Sequence, residues 1–551
     1  NNIFRLTSIQ QELWMSHESL HEKHPGISCG GKFLLHGYPD FKLLSKALKL
    51  SLKSHHLLTA TLRQSDKGMP FLETGVFPEP DLRFYDIRNK KDSEEALYKI
   101  LCDFAEEKFE PLGGRLCRFA IVYIDDNRSW FLARYFHLVC DGVAVMAHFH
   151  VMSSIYDMVS IDPSAEPEEA LTWNNDVIDD TNHIGSSRYQ KDIEFYKNYL
   201  ADLPDERVFT PKPGCVDKIE EVRRLDLHAS PESAERIRTL AKNFGGGINR
   251  ILTAIHALLI SRLYDRDKIS IQTPVRYGER KNILNVIGHR VNIIPAIIDF
   301  NKIETFKDLT GHIDALIRNF TKRVRTPFQH GLRKLSTDLP GNSFIWDTNI
   351  NYLPKLTDDD SNCLRAKEAH PVTSKYDPVL LGIYIVDGYS ENSQLNFDFV
   401  YSINHFSEND IRNYMKRIEK VVIQLLENPD KKIEDLDILT DEEIKNIHNW
   451  EKGPVMDFQI NTITELFDKT AQVYPFNSAI CGINGERMDY QSLMERSDSI
   501  SVWLDSLGIE PGKVVAVLAS RHFRLPELIL GIMKAGGIYL PVDPEYPLQR
   551  I

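Results

Sequence analysis

Phe136-His137-Leu138-Val139-Cys140-Asp141-Gly142 is the stretch on which the reading of this chain turns. An apolar, aromatic run from Trp130 to Tyr135 precedes it and predicts a buried strand, and from Val143 to Val159 the apolar spacing becomes helical. The histidine therefore stands where a strand hands over to a helix. An imidazole titrates near neutrality and can accept or deliver a proton there. An aspartate four residues on can hold the loop through a buried ion pair, and the glycine beside it admits close backbone approach. Those residue types suit acyl-transfer chemistry. Cys140 has no base at a recognisable spacing and reads as a small buried filler. Taken alone, the window reads first as a core histidine followed by a turn aspartate and glycine.

Outward from the window, Leu116 to Ile124 predicts a strand that Asp125-Asp126-Asn127 turns back into the run ending at Phe136. Thr7 with Gln10 signals a capped helix start, and Asp40 caps a second helix with Leu44, Ala47, Leu48 and Leu52 on one face. A polar, acidic stretch from Asp162 to Gly185 predicts a surface crossing between two lobes. A helix around Arg188 to Leu203 opens the second lobe. An amphipathic helix with Ile251, Ile255, Leu258 and Leu259 follows, then strands at Ile269–Val275, Val291–Phe300 and, with period-two alternation, Gln394–Tyr401. Helices and strands interleave in both halves, so the class is α/β. The charged, proline-punctuated Asn428 to Glu451 marks a boundary, beyond which Ile463 to Val473 predicts a helix and Val514 to Ala519 a buried strand.

At 551 residues the chain exceeds one ordinary core and predicts about three domain-sized units. Its net charge of −13 argues against nucleic acid or an anionic membrane as the main partner. No run of about eighteen apolar residues occurs, so no transmembrane helix is expected, and the start is neither a secretory leader nor a transit peptide. Seven cysteines without a C-x-x-C pair predict reduced cytoplasmic thiols, neither a disulfide framework nor a zinc site. No metal is expected elsewhere: His148 and His150 diverge by about 200° on a helix, and His55 and His56 diverge likewise.

The central window resembles the H-H-x-x-x-D-G motif of condensation domains in nonribosomal peptide synthetases. His137, Asp141 and Gly142 match, and Phe136 replaces the first histidine. The resemblance extends over roughly the first 440 residues in motif order. Leu6 to Met15 is similar to the family's opening segment, and Ser187 to Asp192 with Phe195-Tyr196 to the start of its second lobe. His55-His56-Leu57-Leu58 falls where the family has R-H-E-x-L-R and lacks the arginines. Gly288 to Pro295 resembles the G-x-x-V-N-x-x-P strand, and Thr326-Pro327-Phe328 and Asn349 to Pro354 follow in order. Trp130-Phe131 and Arg134-Tyr135 resemble a starter-like subgroup. Met488 to Leu493, Gly531 to Pro541 and Asp543 look like the first two motifs of an adenylation domain, whose phosphate loop and catalytic lysine do not follow before Ile551.

The resemblance implies two chloramphenicol-acetyltransferase-like lobes in a V-shaped pseudo-dimer plus a partial α/β adenylation subdomain. The expected bounds are 1–185 and 186–440 for the lobes, 441–460 for a linker and 461–551 for the truncated adenylation piece. It implies amide-bond formation, in which a carrier-bound aminoacyl amine attacks a carrier-bound acyl thioester. His137 is the expected proton-handling residue, with a backbone N–H near Gly142 toward the oxyanion. Asp141 is expected to be structural, paired with Arg276 from the second lobe, with Arg290 as runner-up. Phe136 is expected in the core behind the loop. Asn292, Asn349, Asn351 and Tyr352 are expected near the substrate path. No cofactor is expected on the chain; phosphopantetheine arms come from an upstream acyl or peptidyl carrier and a downstream aminoacyl carrier. An upstream donor supplied in trans and a longer synthetase cut at both ends both fit the start at Asn1. The alternative function is a degenerate, non-catalytic domain that recruits a partner. Epimerisation is disfavoured by the lack of an E-G-H-G-R-E segment, heterocyclisation by the retained His137, and a simple acyl-CoA-dependent acetyltransferase by the adenylation-like tail.

Overall fold

The segments of alternating periodicity resolve, in the computed structural model, into two compact units, Asn1–Ile444 and Lys445–Ile551. The residues described are all except 1–2, 21–23, 76–78, 169, 171–172, 205–206, 216–220, 279–283, 334–346, 357–363, 373, 376–378, 389–393 and 454–459.

The first half of the first unit carries strands β1 (Ile3–Arg5), β2 (Ser28–His36), β3 (Thr61–Gln64), β4 (Pro70–Glu73), β5 (Leu82–Asp86), β6 (Cys117–Asp125) and β7 (Arg128–Phe136). Its helices are α1 (Ser8–Glu18), α2 (Phe41–Ser54), α3 (Ser93–Glu106), α4 (Gly142–Ile161) and α5 (Asn174–Ile184). β6 and β7 form the expected hairpin, with β2 on the far side of β7 and β5 parallel to β6. Their period of two divides the hairpin between two cores. Phe119, Ile121, Phe131, Ala133 and Tyr135 join the large cluster with α2 and α4, whereas Ala120, Val122 and Leu132 pack toward α3. The run to Tyr135 reads as continuously apolar because both faces are covered.

The second half contains α6 (Ser187–Leu200), β8 (Val222–His228), α7 (Pro231–Asn243), α8 (Ile248–Tyr264), β9 (Lys268–Arg276), β10 (Val291–Asp299), α9 (Phe306–Thr321), α10 (Gln329–Leu332), β11 (Thr348–Leu353), β12 (Ala366–Pro371), β13 (Leu381–Asp387), β14 (Leu395–Ser402) and α11 (Glu408–Glu427). Six of these strands form one sheet in the order β10-β9-β11-β13-β14-β8. β12 leaves that lobe and pairs antiparallel with β2, Ala369 opposite Phe33 and His370 opposite Lys32. The first lobe's sheet thus runs β12-β2-β7-β6-β5 and borrows its edge strand from the second.

This exchange explains β14. Its alternation is present, but the whole strand is buried. Leu395, Phe397, Phe399 and Tyr401 enter the second-lobe core, while Asp398 meets His370 of β12, its Oδ1 2.9 Å from Nδ1. The polar face meets the other lobe's sheet edge, not solvent. Lys32 bridges to Asp226 at 3.0 Å, and Arg224 pairs with both Asp226 and Asp398.

The acidic stretch before Gly185 is more than a surface crossing. Asp176 and Asp180 of α5 are buried: Asp180 accepts the backbone N–H of Ser8 and pairs with Arg5 at 2.9 Å, and Asp176 holds Arg290. Acidic side chains that read as solvated are buried counter-ions, Asp176 to the second lobe's Arg290 and Asp180 to Arg5 of its own lobe.

α12 (Asp441–Lys452) spans the division between the units and fills the first half of the expected linker; 454–459 lie outside the described residues. The second unit continues with α13 (Ile463–Val473), β15 (Ser478–Cys481), β16 (Arg487–Asp489), α14 (Tyr490–Ser506), β17 (Val514–Leu518), α15 (Leu525–Lys534) and β18 (Ile538–Val542). The buried strand expected at Val514–Ala519 is corrected here. Among the described residues β17 pairs with β18 alone, and Val514 and Leu518 are each 58% exposed. Val515 and Val517 pack against Leu504, Ile532 and Ala535; the other face has no covering helix among the described residues of this unit.

Candidate active site

The 137–141 loop is pinned from three directions. Phe136 closes β7 by donating its N–H to Leu116 O at 2.7 Å, and His137 donates its own to Ile27 O at 3.0 Å. Gln10 of α1, fully buried, donates Nε2 to Leu138 O at 2.6 Å while its Oε1 caps the same helix at Thr7. Phe136 is 1% exposed and packs edge-on against His17, ring centroids 4.9 Å apart, and beside Phe109. It fills the space behind the loop without needing a polar partner. Arg134, also 1% exposed, donates to Ser28 Oγ and to the carbonyls of Phe104 and Glu107. Burial pushes its pKa down to about 10. It braces β7 against the end of α3.

His137 keeps part of its surface accessible, and its Nδ1 lies 2.8 Å from Cys140 O. A carbonyl only accepts, so Nδ1 carries the proton and Nε2 of the neutral ring is a lone pair. Burial lowers the His137 pKa; the Asp141 charge opposes that without cancelling it. The ring is therefore neutral and proton-accepting at pH 7.

Asp141, fully buried, is the N-cap of α4. Its Oδ1 accepts the Ala144 N–H at 2.8 Å and its Oδ2 the Arg290 N–H at 2.9 Å. Arg276 Nε stands 3.4 Å from Oδ2, but Nε makes no directed hydrogen bond, so the contact is one of charge. Burial alone would raise the Asp141 pKa; the Arg276 charge, His289 and the two N–H donors outweigh it and hold the carboxyl low. Both expected arginines are engaged. Arg276 answers Asp141 by its side chain, Arg290 by its backbone, and the Arg290 guanidinium forks onto Asp176.

Gly142 opens α4, where first-turn N–H groups have no intrahelical partner. A Cβ on it would stand 3.2 Å from Leu353 Cδ2 and 4.0 Å from Asn351 Nδ2. Leu353 at the end of β11 belongs to the first-lobe core, so the second lobe reaches the motif there. Asn349 and Asn351 share one face of β11. Asn349 Nδ2 donates to Tyr384 OH at 3.3 Å, and its Oδ1 is buried without a hydrogen-bond partner among the described residues. Tyr352 lies on the opposite face, packed on the second-lobe core, and donates its hydroxyl to Asp387 at 2.7 Å. Asn292 is buried, and its Nδ2 donates to Val324 O and Thr326 O. The structure thus gathers Asn351 with Gly142 but not Tyr352, and the Asn292 amide ties β10 to the loop after α9.

Sequence reasoning passed over His289. It sits before β10, 3% exposed, with Nδ1 3.2 Å from His137 Nδ1. Its number lies 152 residues from His137, and no spacing rule connects them; only the G-x-x-V-N segment marked its neighbourhood. Asp226, His370 and Asp398 place ligand atoms within 4.8 Å of one another. Arg224 and Lys32 already answer both carboxylates, so the cluster is an ion-pair latch. Burial pushes His370 down, yet its bonds to Asp398 and Glu368 raise its pKa on balance.

The Condensation domain family matches residues 1–448, and the AMP-binding enzyme family matches residues 467–551. Bacitracin synthase 1 of Bacillus licheniformis is 23% identical over 557 residues, covering 100% of this chain and 10% of that protein. The dimodular nonribosomal peptide synthase of Bacillus subtilis is 22% identical, covering 100% and 23%. The chain thus spans between a tenth and a quarter of the length of these relatives. Among solved structures, the first condensation domain of the calcium-dependent antibiotic synthetase aligns with a TM-score of 0.66 at 19% identity, covering 80% of this chain and 100% of that one. A mutant starter condensation domain of rhizomide synthetase aligns at 0.68 and 15%, covering 80% and 98%. A four-domain nonribosomal peptide synthetase bound to AMP and glycine aligns at 0.70 and 18%, covering 100% and 42%. The α/β lobes are thus of the chloramphenicol-acetyltransferase-like kind, and the chain belongs to the condensation domain family, with residues 467–551 matching the AMP-binding enzyme family.

Proposed function

We propose that the first unit forms an amide bond between two carrier-tethered thioesters, the amine of a downstream aminoacyl thioester attacking the carbonyl of an upstream acyl thioester. The observation that carries this reading is the contact of His137 Nδ1 with Cys140 O, which assigns the proton to Nδ1 and leaves Nε2 free to accept. An α-amino group has a pKa near ~8, so part of it is free base at pH 7. Nε2 orients that amine for attack. As the C–N bond forms, the nitrogen becomes a strongly acidic ammonium and yields its proton to Nε2. The C–S bond then breaks and the proton passes to the departing thiolate. The first-turn N–H groups of α4 beside Gly142 face developing negative charge favourably, as helix N-termini do.

Asp141, Arg276 and Phe136 hold this loop and touch no substrate. Asn349 and Asn351 are the polar side chains of β11 on the face that reaches Gly142, and we assign them to the acyl-donor path. Asn292 acts there by fixing β10. The chain itself holds no cofactor; each phosphopantetheine arm arrives on a partner carrier. Among the described residues no single helix is long and apolar enough to cross a membrane. The Arg134-Tyr135-Phe136-His137 context favours an acyl or aryl donor over a peptidyl one.

The test is product formation from both loaded carriers, followed by mass spectrometry with acyl, aryl and peptidyl donors. His137→Ala should lower turnover by roughly 10²–10⁴-fold. An essentially unchanged rate would remove His137 from the chemistry. Turnover of peptidyl donors alone would overturn the starter reading and leave the condensation reading intact.

A further inference from the structure

His289 is fixed by neighbours that have other reasons to be where they are. A Cβ on Gly288 would fall 2.1 Å from Trp173 Cζ3, so only glycine lets the chain pass the indole. Arg290, on the other side, gives its N–H to Asp141 and its guanidinium to Asp176. Between them the His289 ring meets His137 edge-on, centroids 4.9 Å apart and planes at 81°. Its Nε2 is buried and has no hydrogen-bond partner among the described residues.

Two Nδ1 atoms 3.2 Å apart do not both aim protons at each other. The His137 Nδ1–H is already directed toward Cys140 O. His289 also lies against Cys140 O, the carbonyl that already accepts the His137 N–H; with its proton on Nε2, the His289 Nδ1 lone pair can share the His137 proton. Burial first, and the neighbouring His137 next, push the His289 pKa down to about 3, so the ring is neutral at pH 7 and has a lone pair to offer. The charged groups facing the pair are the Asp141 carboxylate at the start of α4, Arg276 at the end of β9, and Arg290 of β10 with its counter-ion Asp176 of α5. Asp141 and Asp176 are each matched by an arginine, so no free anion competes to orient His137.

We propose that His289 is a positioning residue for the base, supplied by the second lobe. It fixes the tautomer and ring plane of His137 and shares the charge that appears when Nε2 takes a proton. This rests on the condensation reading of His137. The motif pattern places Phe136 where the family carries its first histidine; in this chain another imidazole reaches the base from across the lobe junction.

Deuterium exchange at the imidazole C2 carbon, read by mass spectrometry on the full chain, gives the titration of His137 without turnover. His289→Phe fills the volume and offers no lone pair; His289→Asn offers Oδ1 near the place of Nδ1. The phenylalanine variant should shift the His137 midpoint down by about half a unit and lower kcat roughly three- to tenfold, the worth of one hydrogen bond, with KM for the acceptor carrier unchanged. The asparagine variant should restore both to within about twofold. Should the phenylalanine variant not fold, His289→Leu is read the same way. A folded variant without a lone pair that keeps the His137 titration and kcat of the parent overturns the proposal. If the parent forms no amide from loaded carriers, the condensation reading fails, and the exchange measurement still decides the coupling.

Discussion

Replacing Asp141 with asparagine keeps the shape of the cap and removes its charge. Oδ1 can still accept from Ala144 and, after rotation of the amide, one of the two N–H bonds is lost. What remains is Arg276, mostly buried, with no other counter-ion among the described residues. At 3.4 Å and an effective dielectric near 20 the lost attraction is about 5 kcal/mol. Stranding one partner of a buried pair costs about 3–5 kcal/mol in measured cases. Because Arg276 Nε and Nη2 make no directed hydrogen bond, the lower end applies, about 3 kcal/mol. The two compact units need not unfold together, so a single melting curve is the wrong assay. Native-state amide exchange in peptides from α4 and β10 reports this junction alone, and a 3 kcal/mol loss should speed exchange there roughly 10²-fold. Arg276→Met in the Asp141→Asn background should recover part of that loss, since it removes the uncompensated cation. An Asp141→Asn protein that is inactive yet exchanges like the parent would refute the structural role and place Asp141 in the chemistry.

The remaining expectations follow from close contacts and buried imidazoles. Gly142→Ala presses on the flexible end of Leu353 and should cost about 1 kcal/mol, whereas Gly142→Trp should cost about 1–3 kcal/mol and abolish turnover; wild-type rates in the tryptophan variant would remove the substrate path from this spot. His148, His256 and His289 are each pushed down to about 3 by burial. Their unfolded forms bind protons below about pH 6.5, so the stability they contribute is present above that pH and is lost as pH falls toward 3. Each should cost about 2 kcal/mol between pH 6.5 and 5. His370, raised by Asp398 and Glu368, has the opposite sign: its contribution is complete below about pH 6.5 and fades as pH rises through its folded value. The expected result is a first unit that loses stability in acid by denaturant titration, with His256→Gln flattening the slope; a flat profile from pH 7 to 5 in the parent would contradict it.

What could be read along the chain was local. The Thr7–Gln10 cap, the hairpin leading to His137 and the face of α8 depend on residues within one or two turns of each other, and periodicity and capping chemistry report those directly. The Asp141–Arg276 contact came from family likeness, since no local rule pairs positions 135 residues apart. Errors and omissions concentrate where one lobe uses residues of the other. Asp176 read as solvent-facing because a carboxylate in a polar stretch usually is; its cation, Arg290, belongs to the other lobe, while Asp180, read the same way, meets Arg5 of its own lobe far away in sequence. The period-two alternation of β14 gave no sign that its polar face is covered by β12, a strand exchanged between sheets. His289 belongs to the same class. The one departure visible in the central motif, Phe136, acquires meaning from that distance. A phenylalanine behind the loop removes a polar group that would need a partner among Phe109, His17 and the strand end, and so makes the first-lobe side of the site apolar. An imidazole that is to face His137 is then better placed on the second-lobe side of the loop. The polar anchors available there, Asp141 and Asp176, already hold the Gly288–Arg290 turn that carries one.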